Sequence, residues 1–378
     1  MRNAYIAGVG MIRFGKYRDR SIEDMAGEVV LKALADAGLE RQSIEETFCG
    51  TLFGGTLAGQ RILRYLGMTG MPITNVENAC SSGSSALRQG VASISMGRAD
   101  AVLVIGVEKL SGFEGTIPLE ATDIEATQGM VMPGLYAMRA RRYMHETNTT
   151  PEHLAAVSVK AHKNGSRNVY AQFQNVITVS EVLSSRMIAD PLTLYMCCPT
   201  GDGAAAVILT SRQGAVGRGR VPIKAAASVL QSGRYETGFR DMTESELTAR
   251  TARMAYEEAG VGPEDLSLAE VHDAFSIAEL MYYEALGLCA RGEAKDLLER
   301  GETEITGRIP VNPSGGLLCR GHPVGATGLA QVCEAVWQLR GQAGSRQVSN
   351  PRVALTHCTG GGISGLDHGA CSVHILTR

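Results

Sequence analysis

Four short stretches of this chain set a thiol or an imidazole among small residues, the side chains that nucleophilic catalysis by cysteine requires. Cys80 stands in Glu77-Asn78-Ala79-Cys80-Ser81-Ser82-Gly83-Ser84. The small residues after it lead into a helical stretch, which predicts Cys80 at a helix N-terminus. Free backbone N–H groups and the positive end of the helix dipole there would stabilise a thiolate and lower the thiol pKa. Small neighbours would also let a substrate carbonyl approach. A single cysteine is more often an inert buried hydrophobe, so the context alone leaves both readings standing.

The second stretch is Asn312-Pro313-Ser314-Gly315-Gly316 followed by Gly321-His322-Pro323-Val324-Gly325-Ala326-Thr327-Gly328. Here a histidine directly before proline again starts a helix, and a Cys–His pair is the minimum for a base-activated thiol. The glycines match neither of the common phosphate-loop patterns. The third is His357-Cys358-Thr359-Gly360-Gly361-Gly362, a thiol at a strand end beside exposed backbone N–H groups. A structural turn explains such glycines as readily, although a second cysteine there suits a general acid/base. The fourth is Val271-His272-Asp273-Ala274-Phe275, an apolar strand end before a helix that contains Glu279 and Tyr283. Alone, His272 reads as a structural hydrogen-bonding residue. No HExxH pattern or second ligand accompanies it, so no metal is expected.

The elements that must position these residues alternate short β-branched runs with Ala-rich helical stretches, the pattern of an α/β protein. Strands are predicted at Tyr5 to Gly10, Ala101 to Ile105, Val207 to Thr210, Ile223 to Val229 and Val353 to Thr356. Ser21 reads as an N-cap with Asp24 three residues on, and its helix runs through Ala37 to stop at Gly38. An internal echo organises the rest. Ala35-Asp36-Ala37-Gly38-Leu39 recurs as Glu257-Glu258-Ala259-Gly260-Val261, and Cys80-Ser81-Ser82-Gly83 as His322-Pro323-Val324-Gly325. Each of the latter leads through an Ala/Leu-containing helix into a strand. With the apolar runs into Phe48-Cys49-Gly50 and Val271-His272-Asp273, and the strand ends near Gly106 and at His357-Cys358, these make four matches in the same order. They indicate a duplication, whose pseudo-twofold axis would face two helix N-termini and bring Cys80 to His322. The stretch from Gly112 to Leu194 has no counterpart. It includes a helix from Pro151 to Lys163 capped by Thr150, and reads as a loop domain inserted over the active site. The division expected is residues 1–111 with 195–214, then 112–194, then 215–378.

Composition narrows the function classes. At 378 residues the chain exceeds one usual core. The 44% hydrophobic and 20% charged content is that of an ordinary globular protein. A net charge of -3 without a Lys/Arg cluster gives no footprint for nucleic acid or a membrane surface. Nine scattered cysteines without a CxxC pair fit free thiols in a reducing compartment. No signal peptide, spanning segment or peroxisomal address is read, so a cytoplasmic location is expected.

Cys80 in its Ser/Gly setting, His272-Asp273-Ala274-Phe275, Gly321-His322-Pro323-Val324-Gly325-Ala326 and Cys358-Thr359-Gly360-Gly361-Gly362 resemble the four signature blocks of thiolases, in the family's order. The match covers essentially the whole chain. The HDxF form of the second block resembles the sterol-carrier-protein-2 (SCP-x) type, as do Lys160-Ala161-His162-Lys163, Tyr170-Ala171-Gln172-Phe173, Cys197-Cys198-Pro199-Thr200-Gly201-Asp202-Gly203, Tyr283 to Cys289 and Trp337 to Gly341. The resemblance implies two duplicated βαβαβαββ halves in a five-layer αβαβα arrangement with an inserted loop domain. It implies reversible Claisen condensation or thiolysis of 3-oxoacyl-CoA. Cys80 would be the acylated nucleophile, His322 its base and Cys358 the acid/base on the α-carbon, with His272 helping to hold the enolate oxygen. The backbone N–H groups of Cys80 and Gly360 would form the oxyanion hole of the acyl-enzyme. Cys198 and Gly203 lie in the loop that would wall the substrate pocket. CoA and acyl-CoA enter as substrates, with no permanently bound cofactor, and a homodimer or homotetramer is implied.

One departure stands out. The subgroup often carries cysteine at the position of Ala274 and often lacks one at that of Cys358, so this catalytic set is a hybrid. Three other readings remain. One is an acyltransferase or aldolase component that needs a small zinc-binding OB-fold partner, although such aldolases tend to lack the nucleophilic cysteine. Another is a fatty-acid-type ketosynthase, against which His272 argues where Asn would be expected. The third is a non-catalytic lipid-binding subunit.

Overall fold

Helix boundaries in this chain follow from local chemistry. Ser21 caps the first helix by accepting the Asp24 N–H at 3.1 Å, and Gly38 ends it in the left-handed region at φ 67°. Gly260 ends the matching helix of the second half at φ 69°, so the sequence echo marks two equivalent C-caps.

The computed structural model describes residues 2–113, 123–212, 221–235, 241–364 and 367–378. The first half runs β1 (Tyr5–Met11), α1 (Ile22–Ala37), β2 (Glu46–Gly50), α2 (Ala58–Tyr65), β3 (Ile73–Val76), α3 (Ser82–Ser95) and β4 (Ala101–Glu108). Between β4 and β7 (Gly203–Thr210) come α4 (Ile124–Thr127), α5 (Met132–Thr147), α6 (Pro151–Gly165), α7 (Val179–Ser184) and the hairpin β5 (Met187–Ala189) and β6 (Leu192–Thr193). The second half runs β8 (Ile223–Gln231), α8 (Glu246–Ala259), β9 (Leu268–Glu270), α9 (Ser276–Ala285), α10 (Ala294–Glu299), α11 (Gly316–Arg320), α12 (Val324–Arg340), β10 (Val353–Gly360) and β11 (Ala370–Thr377). The expected boundary between 214 and 215 lies outside the described residues.

One sheet holds nine of the strands in the order β3-β2-β4-β7-β1-β8-β11-β10-β9. The order β2-β4-β7-β1 is repeated in reverse as β8-β11-β10-β9, which is the duplication seen as topology. The halves join edge to edge through Tyr5 with Lys224 and Ile6 with Ile223. The counterpart of β3 shrinks to a single bridge between Ala269 and Val311. Val311 sits in Ile309-Pro310-Val311-Asn312-Pro313, and prolines on both sides lack the N–H a longer ladder would need.

Three apolar clusters give the layers. Val29, Leu34, Ile62 and Leu63 of α1 and α2 cover one face of the first half-sheet through Leu103, Ile105 and Ile208. Leu87 and Ile94 of α3 and Leu329 and Val336 of α12 fill the centre, against Val102, Val104 and Val207 and against Ala354 and Leu376. Leu247, Leu280 and the inserted segment's Tyr143 and Leu154 cover the outer face of the second half-sheet at Val229, Val373 and Ile375. Helices, sheet, helices, sheet, helices are the five layers expected. β4 alternates between two clusters, so both faces are buried and the strand reads as one apolar run.

The central helices meet at their first turns. A Cβ on Gly83 would lie 2.4 Å from the Gly325 carbonyl oxygen, and one on Gly328 would lie 2.5 Å from Ser84 Cβ. Gly83 and Gly325 are the second residues of α3 and α12, so glycine is what lets the two N-termini touch. We expect Gly83→Ala to cost about 1–3 kcal/mol in chemical denaturation, the usual range for overpacking. Its turnover should fall further than its stability, because the helix starts are pushed apart. An unchanged denaturation midpoint together with unchanged turnover would show that the close approach is not needed.

Candidate active site

Cys80 lies two residues before α3, in a tight turn where the Ser81 N–H donates to Asn78 O at 3.0 Å. The Ser82 N–H donates to Ala79 O at 3.1 Å. Ala79 is held at φ 48°, a left-handed conformation costly for a residue with a Cβ. The turn is held by the Asn78 N–H on Ser82 Oγ at 3.0 Å and Asn78 Nδ2 on Ser85 Oγ at 2.9 Å. It presents the sulfur towards the start of α12.

His322 precedes α12 and is oriented by Thr327. The Thr327 hydroxyl donates its one hydrogen to Pro323 O at 3.0 Å, so it accepts from His322 Nδ1 at 2.8 Å. That fixes the tautomer and leaves the Nε2 lone pair free. Cys80 Sγ, a His322 ring nitrogen and a His272 ring nitrogen lie within 4.8 Å of one another.

His272 follows β9. Its backbone N–H donates to His357 Nδ1 at 3.4 Å, and its ring stands edge-on to His322 with centroids 4.9 Å apart. His272 Nδ1 is 3.3 Å from Cys358 Sγ, and the Cys358 thiol donates to the Cys80 carbonyl oxygen at 3.2 Å. Strand β10, helices α3 and α12 and the end of β9 thus deliver the four predicted side chains to one point.

The electrostatics differ from expectation. Burial pushes the Cys80 thiol up to about 12; the N–H groups of Gly361 and of Cys80 itself act the other way, and Glu108 and Glu77 add to the rise. A helix N-terminus contributes roughly 0.3–1 kcal/mol, less than one pKa unit, so desolvation of the thiolate wins. Cys358 is raised well above the ordinary thiol range, first by burial and then by the Cys80 charge. Burial, with Arg320 second, lowers His322 to about 3, and burial with His322 and His357 nearby takes His272 well below its usual range. The resting site is therefore neutral: two thiols and two uncharged imidazoles, poised to exchange a proton once substrate arrives.

The remaining expected site residues fall as follows. Cys198 donates its N–H to Ala274 O at 2.9 Å, and burial, followed by the charges of Cys197, Cys80 and Asp273, pushes its thiol well above the ordinary range. Gly203 is the first residue of β7, fully within the sheet, and a Cβ there would lie 2.8 Å from Pro323 Cγ. The Phe14 ring is closer still, at 2.3 Å, so the smallness of Gly203 admits both Phe14 and the residue after His322. Gly360 is the last residue of β10, pressed so close to the nucleophile turn that a Cβ would lie 2.1 Å from Asn78 O. The N–H that reaches the Cys80 sulfur is that of Gly361.

Several positioning groups escaped the sequence reading. Buried Glu108 accepts from the N–H groups of Leu52 at 2.8 Å, Phe53 at 3.0 Å and Gly325 at 3.2 Å, tying the end of β4 to the first turn of α12. Its one sequence signal is a carboxylate closing an apolar strand. Asp273 accepts from the Leu317 N–H at 2.7 Å and so caps α11. From the inserted segment, Tyr136 stacks on Phe275 at 4.4 Å and its hydroxyl lies 2.9 Å from His368 Nε2. Arg139 pairs with Asp367 at 2.7 Å beside it. No spacing in the sequence joins residues so far apart.

A thiol raised to about 12 makes a testable statement about reactivity. Below that value the thiolate fraction grows about tenfold per pH unit. Alkylation of Cys80 by iodoacetamide should accelerate about tenfold for each pH unit, about a hundredfold between pH 7 and pH 9, without levelling. A plateau below pH 8 would mean the thiolate is already formed at rest.

Comparison with known proteins agrees with this geometry. Residues 4–213 match the model of the thiolase N-terminal domain, and residues 228–374 that of the thiolase C-terminal domain-like family. The chain is 44% identical to benzoylsuccinyl-CoA thiolase subunit BbsB of Thauera aromatica, over 96% of this chain and 95% of that one. It is 43% identical to an acetyl-CoA acetyltransferase of Methanothermobacter thermautotrophicus over the whole of both chains. With human sterol carrier protein 2 it shares 38% identity over 95% of this chain and 70% of that one. Among solved structures it is similar to the Ltp2-ChsH2(DUF35) aldolase, with a TM-score of 0.86 at 28% identity, covering 100% of this chain and 98% of that one. It shares its fold with human mitochondrial 3-ketoacyl-CoA thiolase, at a TM-score of 0.76 and 16% identity over 100% and 99% of the two chains. Two duplicated halves, the five layers and matches to both family domains lead to one conclusion: the chain belongs to the thiolase family.

Proposed function

We propose that the protein is an acetyl-CoA C-acyltransferase that cleaves 3-oxoacyl-CoA with CoA, and runs the reverse Claisen condensation, through an acyl group on Cys80. The observation that carries this reading is the meeting of Cys80, His272 and His322 within 4.8 Å, with Cys358 held by both His272 and the Cys80 carbonyl.

In the cleavage direction Cys80 Sγ attacks the ketone carbon and passes its proton to His322 Nε2. The resulting oxyanion is held by the N–H groups of Cys80 and Gly360, with the Gly361 N–H at the same turn as a further donor. Each such donor stabilises the transition state by about 2.7–4 kcal/mol. The carbon–carbon bond then breaks, leaving the acyl group on Cys80 and an enolate whose oxygen faces His272. The enolate carbon takes its proton from the Cys358 thiol, a proton that burial keeps on sulfur at rest. Incoming CoA attacks the acyl-enzyme and returns a proton to Cys358, while the departing Cys80 thiolate recovers its own from His322. Both thiols and both imidazoles end as they began.

We take residues 112–194 as a segment inserted between two thiolase halves; the packing of its Tyr136 on Phe275 of the His272 block supports this reading. We assign the segment the role of covering the acyl site, with Cys198 on its wall. A homo-oligomer and a cytoplasmic location complete the proposal. Among the described residues, no helix is long and apolar enough to cross a membrane.

A second reading keeps the acyl-enzyme and adds a small zinc-binding OB-fold partner protein. The likeness to Ltp2 in its DUF35-containing aldolase favours it, as does the relative named as a subunit. Assays of the chain alone separate the two readings.

Purified protein should cleave acetoacetyl-CoA or a longer or branched 3-oxoacyl-CoA with free CoA, and Cys80→Ala should abolish this while remaining folded. Uptake of an acyl group without cleavage of either substrate would favour the partner reading. Cys358→Ala should still accept an acyl group yet lose exchange of the acetyl-CoA α-protons into heavy water. Unchanged exchange in that variant would remove Cys358 from the mechanism.

A further inference from the structure

The same three side chains have a second chemistry. Cys80 Sγ and one ring nitrogen each of His272 and His322 converge within 4.8 Å from three separate elements, with no carboxylate among them. Thiolate sulfur and imidazole nitrogen are the donors zinc prefers, and three protein ligands leave its fourth position open. Hard cations such as magnesium and calcium select oxygen ligands and are disfavoured here.

The groups behind the ligands are arranged as metal sites require. A ligating imidazole usually donates its other N–H to a fixed acceptor, which sets its tautomer and aim. His322 does this through Nδ1 on Thr327 Oγ1 at 2.8 Å, and Thr327 is in turn fixed by Pro323 O. His272 engages Cys358 Sγ through Nδ1 at 3.3 Å, which leaves Nε2 towards the cluster. The two rings are held edge-to-face at 86°, so their nitrogens approach one point from different directions. Tetrahedral bonds of about 2.3 Å to sulfur and 2.0 Å to nitrogen put ligand atoms roughly 3.3–3.6 Å apart. Closing from 4.8 Å to that separation takes a small inward movement of the three side chains, of which Cys80 is partly accessible.

We propose that Cys80, His272 and His322 form a binding site for a divalent cation of the zinc class, and that metal and acyl group exclude one another at Cys80. On binding, the Cys80 thiol releases its proton to solvent and a sulfur–metal bond forms. No oxidant or reductant is involved, and a chelator reverses the step. The enzyme would thereby be switched off by free zinc and restored on its removal. The binding claim rests on the geometry alone; the loss of turnover rests also on the thiolase reading.

The test titrates chelator-stripped full-length protein with Zn2+ against a chromophoric competitor, and with Co2+ followed in the near ultraviolet. One tight equivalent is expected, with a thiolate-to-cobalt band. Cys80→Ala and His322→Asn should weaken it at least a hundredfold, while Cys358→Ser, which keeps a hydrogen-bonding group beside His272, should retain it. Bound zinc should also protect Cys80 from iodoacetamide. Circular dichroism checks each variant's fold, and Cys80→Ser replaces Cys80→Ala if that variant does not fold. Equal zinc affinity in the Cys80 variants, or full-rate alkylation of Cys80 in the zinc-saturated protein, overturns the proposal. Failure of metal-free protein to cleave any 3-oxoacyl-CoA would overturn the thiolase reading and leave this one standing.

Discussion

Everything at the active site depends on two helix starts that touch through their backbones. Gly83 and Gly325 sit where a Cβ would fall 2.4–2.6 Å from main-chain oxygen, and Gly106 and Gly50 line the same contact. Van der Waals contact at that range is available to glycine alone. The result places residues two positions before each helix, Cys80 and His322, on the same side of the junction. A duplicated fold produces two equivalent helix starts, and the sequence then differentiates them into a nucleophile and a base.

Around this junction the protein buries charged groups that are paired with one another. Glu108 binds the first turn of α12, and just before His322 Arg320 pairs directly with Glu270 at 3.0 Å, while the Ser314 hydroxyl donates to Glu270 and accepts from Arg320. Lys160 of the inserted segment pairs with Glu279 at 2.6 Å, and Glu279 accepts from Asn312 Nδ2 at 2.8 Å. Buried pairs contribute little net stability, but removing one partner leaves an uncompensated charge and costs about 3–5 kcal/mol. Their effect here is to make the loops before α11 and α12 rigid. The same burial keeps Cys80, Cys358, His272 and His322 uncharged at rest, so proton transfers are driven by substrate rather than by a preformed ion pair.

Much of this was legible in the sequence because it is local. Strand cores, the Ser21 cap, the Gly38 and Gly260 stops and the helix after Pro151 are set by nearby residues, and the structure extends them by a few positions at most. The four reactive side chains stood out because thiols and imidazoles are uncommon among glycines. What the sequence hid depends on tertiary burial. A helix start argued for a lowered Cys80 pKa, whereas desolvation outweighs the dipole. Likewise the packing of Gly203, where a Cβ would fall 2.3 Å from Phe14 and 2.8 Å from Pro323, has no mark in the sequence. Glu108 and the Tyr136–His368 contact act across long stretches of chain, and a single sequence carries no mark of such pairings.

The central claim is that Cys80 takes the acyl group with His322 as its base, and trapping that intermediate tests it most directly. Protein mixed with acetyl-CoA, quenched in acid and digested should show one acetyl group on the peptide containing Cys80. The label should form much more slowly in His322→Asn and be absent in Cys80→Ala. Acetylation of another cysteine, or equal labelling of Cys80 with and without His322, would contradict the account.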